Sequence, residues 1–185
     1  NIRTVLQWLG KGNIKERVNA KCEDAANAGL LYAASAMQQY DLMSYLLLNG
    51  ADVNILNSPG ISVLSMLCSM TTADNPKTFR LLLSWGAELF FDGKLVTSQE
   101  KKLTWCRRIS ERGYAEIAQL ISPGLAGRRC EIISAPSTRV DLIGKTCVVE
   151  GYLEQSDQCK VTMEFTNEVL LLSTTNLERR DRTPK

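Results

Sequence analysis

The chain contains no histidine. Histidine is the commonest general acid or base at neutral pH, and without it the usual Ser–His and Cys–His nucleophile pairs cannot form. Aromatic residues are scarce, at 6% of the chain, so few large rings are available to anchor a core or an interface. No apolar run approaches the ~18 residues that a membrane-spanning helix needs. Six cysteines stand at 22, 68, 106, 130, 147 and 159, with no Cys-x-x-Cys pair among them. A structural zinc site needs four ligands gathered at short spacing, so neither a metal nor another cofactor is expected. Phosphate loops are missing too. Gly144-Lys145-Thr146 carries the last letters of a P-loop, but Arg139 stands where its first glycine belongs, and a strand is expected to follow in place of a helix. A net charge of +2 gives no general attraction to nucleic acid or to an acidic membrane. The carboxylates Glu23, Asp24, Asp41, Asp52, Glu88 and Asp92 are scattered over turns and helix starts, where acidic side chains are favoured. No catalytic residue is expected.

What is present is a recurrence. In Leu46-Leu47-Leu48-Asn49-Gly50-Ala51-Asp52-Val53-Asn54, large apolar residues are followed by a glycine and then Ala-Asp-Val-Asn. Gly86 follows Gly50 by 36 residues, Gly12 precedes Gly50 by 38, and Gly124 follows Gly86 by 38. Each is preceded by two large apolar residues and two spacers: Trp8-Leu9, Leu46-Leu47, Leu82-Leu83 and Leu120-Ile121. Such a fixed period is the signature of a repeat solenoid. The apolar pair packs one helix against its neighbours, and the glycine takes a left-handed conformation that stops the helix.

This run resembles an ankyrin repeat, at the end of its second helix, its turn and its β-finger. Ala28-Gly29-Leu30-Leu31-Tyr32-Ala33-Ala34 is similar to the family's Thr-Pro-Leu-His-x-Ala-Ala helix start, without its Thr, Pro and His. Ser62 to Cys68 and Thr104 to Ser110 sit in the same place in the later repeats. The second helices begin at Tyr40, Pro76 and Gly113-Tyr114-Ala115-Glu116-Ile117. Val18-Asn19-Ala20-Lys21 matches Val53-Asn54 as a finger. The resemblance implies an α-helical ankyrin-repeat solenoid over 1–124, about four units with the first incomplete. In the family, the Thr and His side chains tie the turn between repeats together, at roughly 0.5–1.5 kcal/mol per bond. Their loss leaves this stack leaning on apolar packing between helices.

Residues 125–128 then read as a linker, and from Arg129 the pattern changes to short β-rich runs. Cys130 to Ile133, Thr146 to Tyr152, Cys159 to Phe165 and Val169 to Leu172 are the candidate strands. The order Leu-x-Gly-Lys, strand, tyrosine, strand, strand, Asn-Leu over 129–178 resembles an SH3-like barrel of the Tudor or KOW type. That resemblance implies a small all-β barrel, closed to hide its edges. Tudor-type readers hold methylated lysine in a cage of three or four aromatic rings. Here only Tyr152 and Phe165 are available, so their packing inside the barrel is expected. The run Arg179-Arg180-Asp181-Arg182 reads as the start of a basic tail over 179–185. Trp8-Leu9-Gly10, Arg17-Val18-Asn19-Ala20-Lys21 and the closing Asn176-Leu177-Glu178-Arg179-Arg180-Asp181-Arg182-Thr183-Pro184 are together similar to a group of dinoflagellate proteins. That likeness implies a chain continuing past Lys185. The absence of an initiating Met points to a segment upstream of Asn1, with any targeting signal it carries. Cysteines on helix or strand positions act as small hydrophobes, which fits an intracellular, reducing compartment, with cytosol and plastid both open.

Ankyrin stacks bind through finger tips and inner helices. The expected function is therefore a non-enzymatic protein–protein interaction module or scaffold, holding a protein partner. Candidate partner-binding residues are Leu56, Phe90 and Phe91 on the fingers, and Trp105, Arg107 and Arg108 on an inner helix. Aromatic and arginine side chains are the commonest interface anchors. Packing of both phenylalanines on the last repeat, and a solvated basic face around Trp105, account for the same residues. Two other roles stand beside this one. The chain would be a permanent accessory subunit of a large assembly, such as a plastid photosynthetic complex, or a peptide or chromatin reader acting through the barrel. No nucleic-acid partner is expected. Docking onto a membrane complex remains compatible with the absence of a span.

Overall fold

The computed structural model describes residues 2–70 and 75–184. Its internal contacts divide the chain into two units. One takes residues 2–70, 87–96 and 183–184; the other takes residues 75–86 and 97–182.

In the first unit, helices and two-residue strands alternate. The order is α1 (Ile2–Leu9), α2 (Ile14–Val18), β1 (Lys21–Cys22), β2 (Ala28–Gly29), α3 (Leu30–Ala36), α4 (Tyr40–Leu48), α5 (Val63–Met70), β3 (Phe90–Phe91) and β4 (Lys94–Leu95). Each short strand pairs antiparallel with the next, β1 with β2 and β3 with β4. The helices stop where the chain enters the left-handed region. After α4, Gly50 has φ +93° and the Ala51 amide returns to the Leu46 carbonyl at 3.0 Å, which satisfies a carbonyl the helix end leaves open. Gln38 does the same after α3 with φ +53°, and Gln39 N donates to Ala34 O at 2.8 Å. Leu31, Met43, Leu46, Leu47, Val63 and Leu64 are fully buried and form the core between these helices.

Gly12 departs from the expected pattern. It does not take a left-handed conformation, because α1 has already ended at Leu9. A side chain on Gly12 would meet the Arg17 guanidinium at 2.8 Å. The glycine leaves room for that group to lie over the Trp8 ring, 4.9 Å from its centroid, a cation–π contact. The first finger also starts later than expected. Val18 ends the short helix α2, whose first turn is capped by Asn13 Oδ1 accepting from Lys15 N at 3.1 Å. The strand begins only at Lys21.

At the places where the resemblance expects Thr and His, polar groups add hydrogen bonds to the apolar packing. Ser62 and Ser65 stand at those places one repeat on, with their hydroxyls 3.1 Å apart. Ser62 Oγ donates to Glu88 O at 2.7 Å and Ser65 Oγ accepts from Phe90 N at 2.9 Å. Tyr32 Oη accepts from Asn57 N at 3.1 Å, and its one proton faces the carbonyls of Ile61 and Ile55. Two asparagines make the same kind of bond at successive fingers. Asn19 Oδ1 accepts from Asp52 N at 2.7 Å, 33 residues on. Asn54 Oδ1 accepts from Glu88 N at 2.8 Å, 34 residues on.

The second unit holds three helices and a sheet. The helices are α6 (Pro76–Ser84), α7 (Gln99–Glu111) and α8 (Ala115–Ile121). Pro76 opens α6 in its first turn, where its missing amide costs no bond. α7 begins at the Ser98 cap, whose hydroxyl accepts from Lys101 N at 3.3 Å, well before the expected start near Thr104. α8 packs against both α6 and α7. The strands are β5 (Arg129–Ile132), β6 (Thr146–Leu153), β7 (Gln158–Met163), β8 (Val169–Ser173) and β9 (Leu177–Arg179). They form one antiparallel sheet in the order β8-β7-β6-β5-β9. The expected closed barrel is not formed: among the described residues β8 pairs with β7 alone and β9 with β5 alone. A single tight turn over Thr174–Asn176, capped by Ser173, carries the chain from one edge strand to the other.

One face of the sheet is buried, by Cys130, Ile132, Cys147, Val149, Val161 and Met163, with Leu142 closing over it. Tyr152 and Phe165 do not pack there. Tyr152 is half exposed with its hydroxyl donating to Asp157, and Phe165 is 89% exposed. Both expectations for these rings followed from their hydrophobicity. Phe165 instead falls in the turn between β7 and β8, outside the alternation that buries Cys159, Val161 and Met163. Residues 125–128 are a packed connection: Ala126 and Arg128 are buried, and Gly127 N donates to Val149 O at 2.7 Å. Arg179, Arg180 and Arg182 are bonded into the unit. Arg180 N donates to Arg129 O at 2.9 Å, and Arg182 N to Ser84 O at 3.0 Å.

Candidate functional site

Three finger tips in the first unit are held in a row by direct bonds. Between the first and second, Ser58 N donates to Ala26 O and Asn27 Nδ2 to Ser58 Oγ, both at 2.8 Å. Between the second and third, Gly93 N donates to Gly60 O at 2.9 Å. Lys21 Nζ adds a bond to Leu56 O at 2.8 Å. Such bonds fix the tips relative to each other, so side chains on them form one surface.

Leu56 lies on the second finger, bridged to Ser62 and half buried. Phe90 and Phe91 lie on the third. Adjacent strand residues face opposite ways: Phe90 is half buried opposite Leu95, while Phe91 is 58% exposed opposite Lys94. Leu95 is 46% exposed and extends the apolar surface on the Phe90 side, the face opposite Phe91. It escaped the reading of the sequence, although Asp92-Gly93 is a turn dipeptide that places four residues as a hairpin. Both residues have positive φ, +51° and +70°, as that turn requires.

In the second unit, Trp105, Arg107 and Arg108 lie on α7, where only Ile109 is buried. Trp105 is half buried, and both arginines are exposed. Leu103, 51% exposed on the same helix, was not singled out by the sequence. Among the described residues neither arginine's side chain has an ion-pair or hydrogen-bond partner, and nor do the side chains of Lys101 and Lys102. Several arginines elsewhere in this unit are matched. Arg80 bonds Glu116 at 2.6 Å and Glu150 at 2.5 Å, and Arg129 bonds Glu164 at 2.8 Å.

The titratable groups are set for structure. Burial pushes the Tyr32 hydroxyl up to about 12. The same cause takes the Cys130 thiol to about 12 and Cys147 to about 11, which holds both as neutral, unreactive thiols. Burial also raises Glu164, but bonds from Thr146 at 2.5 Å and Arg129, with the Arg182 charge, outweigh it and hold the carboxyl below its usual value. Among the described residues no group of three or more histidine, cysteine or acidic side chains could hold a metal ion. A largely apolar cavity of about 480 Å³ opens between α1, the first finger and α3, lined by Val5, Trp8, Ala20, Ala28, Leu30 and Ala33 among others. No helix among the described residues is long and apolar enough to cross a membrane.

Residues 30–58 match the ankyrin repeat family. That span runs from α3 through α4 and its Gly50 turn to the tip of the second finger. No curated protein matches the chain.

Proposed function

We propose that the chain is a non-enzymatic protein-interaction module that holds a protein partner on its bonded row of finger tips and on the exposed inner helix α7. The observation that carries this reading is the ankyrin repeat at 30–58 together with an exposed Phe91 on a finger whose tip is tied to its neighbour. Repeat folds of this kind bind through such surfaces, and an aromatic ring presented on a rigid strand loses little conformational freedom on binding. Leu56, Phe90 and Phe91 form the finger contact; Trp105, Arg107 and Arg108 form the helix contact.

The test is cross-linking mass spectrometry in native extract, followed by pull-down of the identified partner. Lys94 lies opposite Phe91, and Lys101 and Lys102 lie on α7, so cross-links to the partner are expected at these lysines. Phe91→Ala and Trp105→Ala are expected to fold and to recover less partner. Full recovery by both overturns the reading. A scaffold and a permanent accessory subunit differ in lifetime: co-migration with a large assembly at high salt is the mark of the latter.

A second reading draws on the exposed rings of Tyr152 and Phe165, which leave the sheet able to act as a peptide reader in the manner of an SH3-like domain. Titration of the full chain with trimethyl-lysine peptides is its test. A flat titration ends it.

A further inference from the structure

On α7, Lys101, Trp105 and Arg108 are spaced i, i+4 and i+7, which places them along one face of a helix. Of the two acidic residues of the helix, Glu100 falls on another face, and Glu111, three residues after Arg108, makes no ion pair with it among the described residues. The stripe is basic at both ends with an indole between, and neither Lys101 nor Arg108 has an ion-pair partner among the described residues. The contrast within the same unit gives this weight. Arg80, Arg129, Arg139, Arg180 and Arg182 are each held by at least one glutamate, at 2.5–2.8 Å. These five arginines are matched internally, whereas the two cations of the stripe are not.

We infer that the Lys101–Trp105–Arg108 stripe takes an acidic segment of a partner protein, with one carboxylate on each basic residue and an apolar side chain on the Trp105 ring. Seven residues of helix rise about 10 Å. The segment therefore carries two carboxylates at about that separation, flanking the apolar residue. Apolar contact with the half-buried indole supplies affinity, and the charges supply orientation and a fast, salt-sensitive encounter. An anionic lipid surface would meet the charges but not the half-sunk ring, which lies beside the buried Ile109 row of the helix. The inference rests on the interaction-module reading and narrows its second contact.

The experiment uses the full chain and a display library of random 15-residue peptides. Selection is expected to enrich peptides with paired Asp or Glu around an apolar residue. The double variant Lys101→Glu with Arg108→Glu is expected to bind the winners about tenfold or more weakly, with an unchanged melting temperature, and Arg108→Lys is expected to retain most of the binding. Winners without acidic residues, or with equal affinity for the charge-reversed chain, overturn the inference. So does binding of the wild-type chain to phosphatidylcholine vesicles with 30% phosphatidylserine when no acidic peptide is selected. The native partner separates this inference from the broader reading. Loss of partner in Phe91→Ala but not in the charge reversal defeats the acidic-segment assignment alone. Retention in both, and in Trp105→Ala, defeats the interaction surface altogether.

Discussion

Gly60 and Gly93 show how much one residue decides in this chain. A Cβ added to Gly60 would meet Gly93 N at 2.2 Å and Gly93 Cα at 2.8 Å, and Gly60 already sits at φ +70°. Both neighbours are backbone, so nothing flexible can move aside. Gly60→Ala is expected to destabilise the chain by about 1–3 kcal/mol and to lower its urea midpoint, whereas Gly93→Ala, with open space around its Cβ, is expected to cost less. Equal midpoints for the two variants would show that the fingers do not meet at this point. Tyr32 makes a similar case from a side chain. Its hydroxyl serves Ile55 O and Asn57 N, so Tyr32→Phe leaves buried groups unsatisfied and is expected to cost about 1–3 kcal/mol, read by the same midpoint. Neither role was visible in the sequence. A glycine in a finger and a tyrosine in a helix have no periodicity to announce a contact 25–33 residues away.

At the level of elements, the helices of the repeats were legible because their signals are local. Paired large apolar residues, a following glycine and a proline at a first turn mark α4, α6 and their ends, and Gly50 and Gly86 have the positive φ those signals imply. Gly12 carried the same letters without the conformation, because the helix before it ends early at Leu9. Strand positions were legible from alternation, as in Cys159, Val161 and Met163. Pairing between strands was not, since closure depends on whether β8 reaches β9, and nothing local encodes that. The asparagine bonds between repeats belong to this scale as well. Asn54→Ala removes the acceptor for the Glu88 amide and is expected to cost about 1–2 kcal/mol. A urea midpoint equal to wild type would show that water replaces the bond without loss. Of the candidate site, the finger aromatics and the basic helix were legible by residue type. Their exposure, and the additions of Leu95 and Leu103, needed the hairpin register and the helix packing.

Over the whole molecule, the charge that is nearly balanced in sum, at +2, is unevenly paired. Glu164 receives Thr146, Arg129 and Arg182, joining β6, β5 and the segment after β9 in one network. Its carboxyl is held below the ordinary value despite burial. A depressed folded value means that the network stabilises the fold fully above the unfolded glutamate value of about 4.3. That contribution is lost as pH falls through the lower folded value. Glu164→Gln is therefore expected to be less stable by about 2 kcal/mol at pH 7, with a shallower loss of stability on acidification than wild type. Parallel stability–pH curves for the two proteins would remove Glu164 from the network's account. The sequence shows the abundance of arginine and glutamate but not their matching. For that reason the basic residues of α7 are legible in the sequence, but their lack of partners is visible only in three dimensions.

The bonds from Asn19 to Asp52 and from Asn54 to Glu88 make one repeat an interchangeable part. If residues 20–54 are excised, Asn19 takes the place of Asn54 in the chain, directly before Ile55. Its side chain then meets the Glu88 amide in the same way. The accepting asparagine is thus the part of the joint that is interchangeable between the two positions.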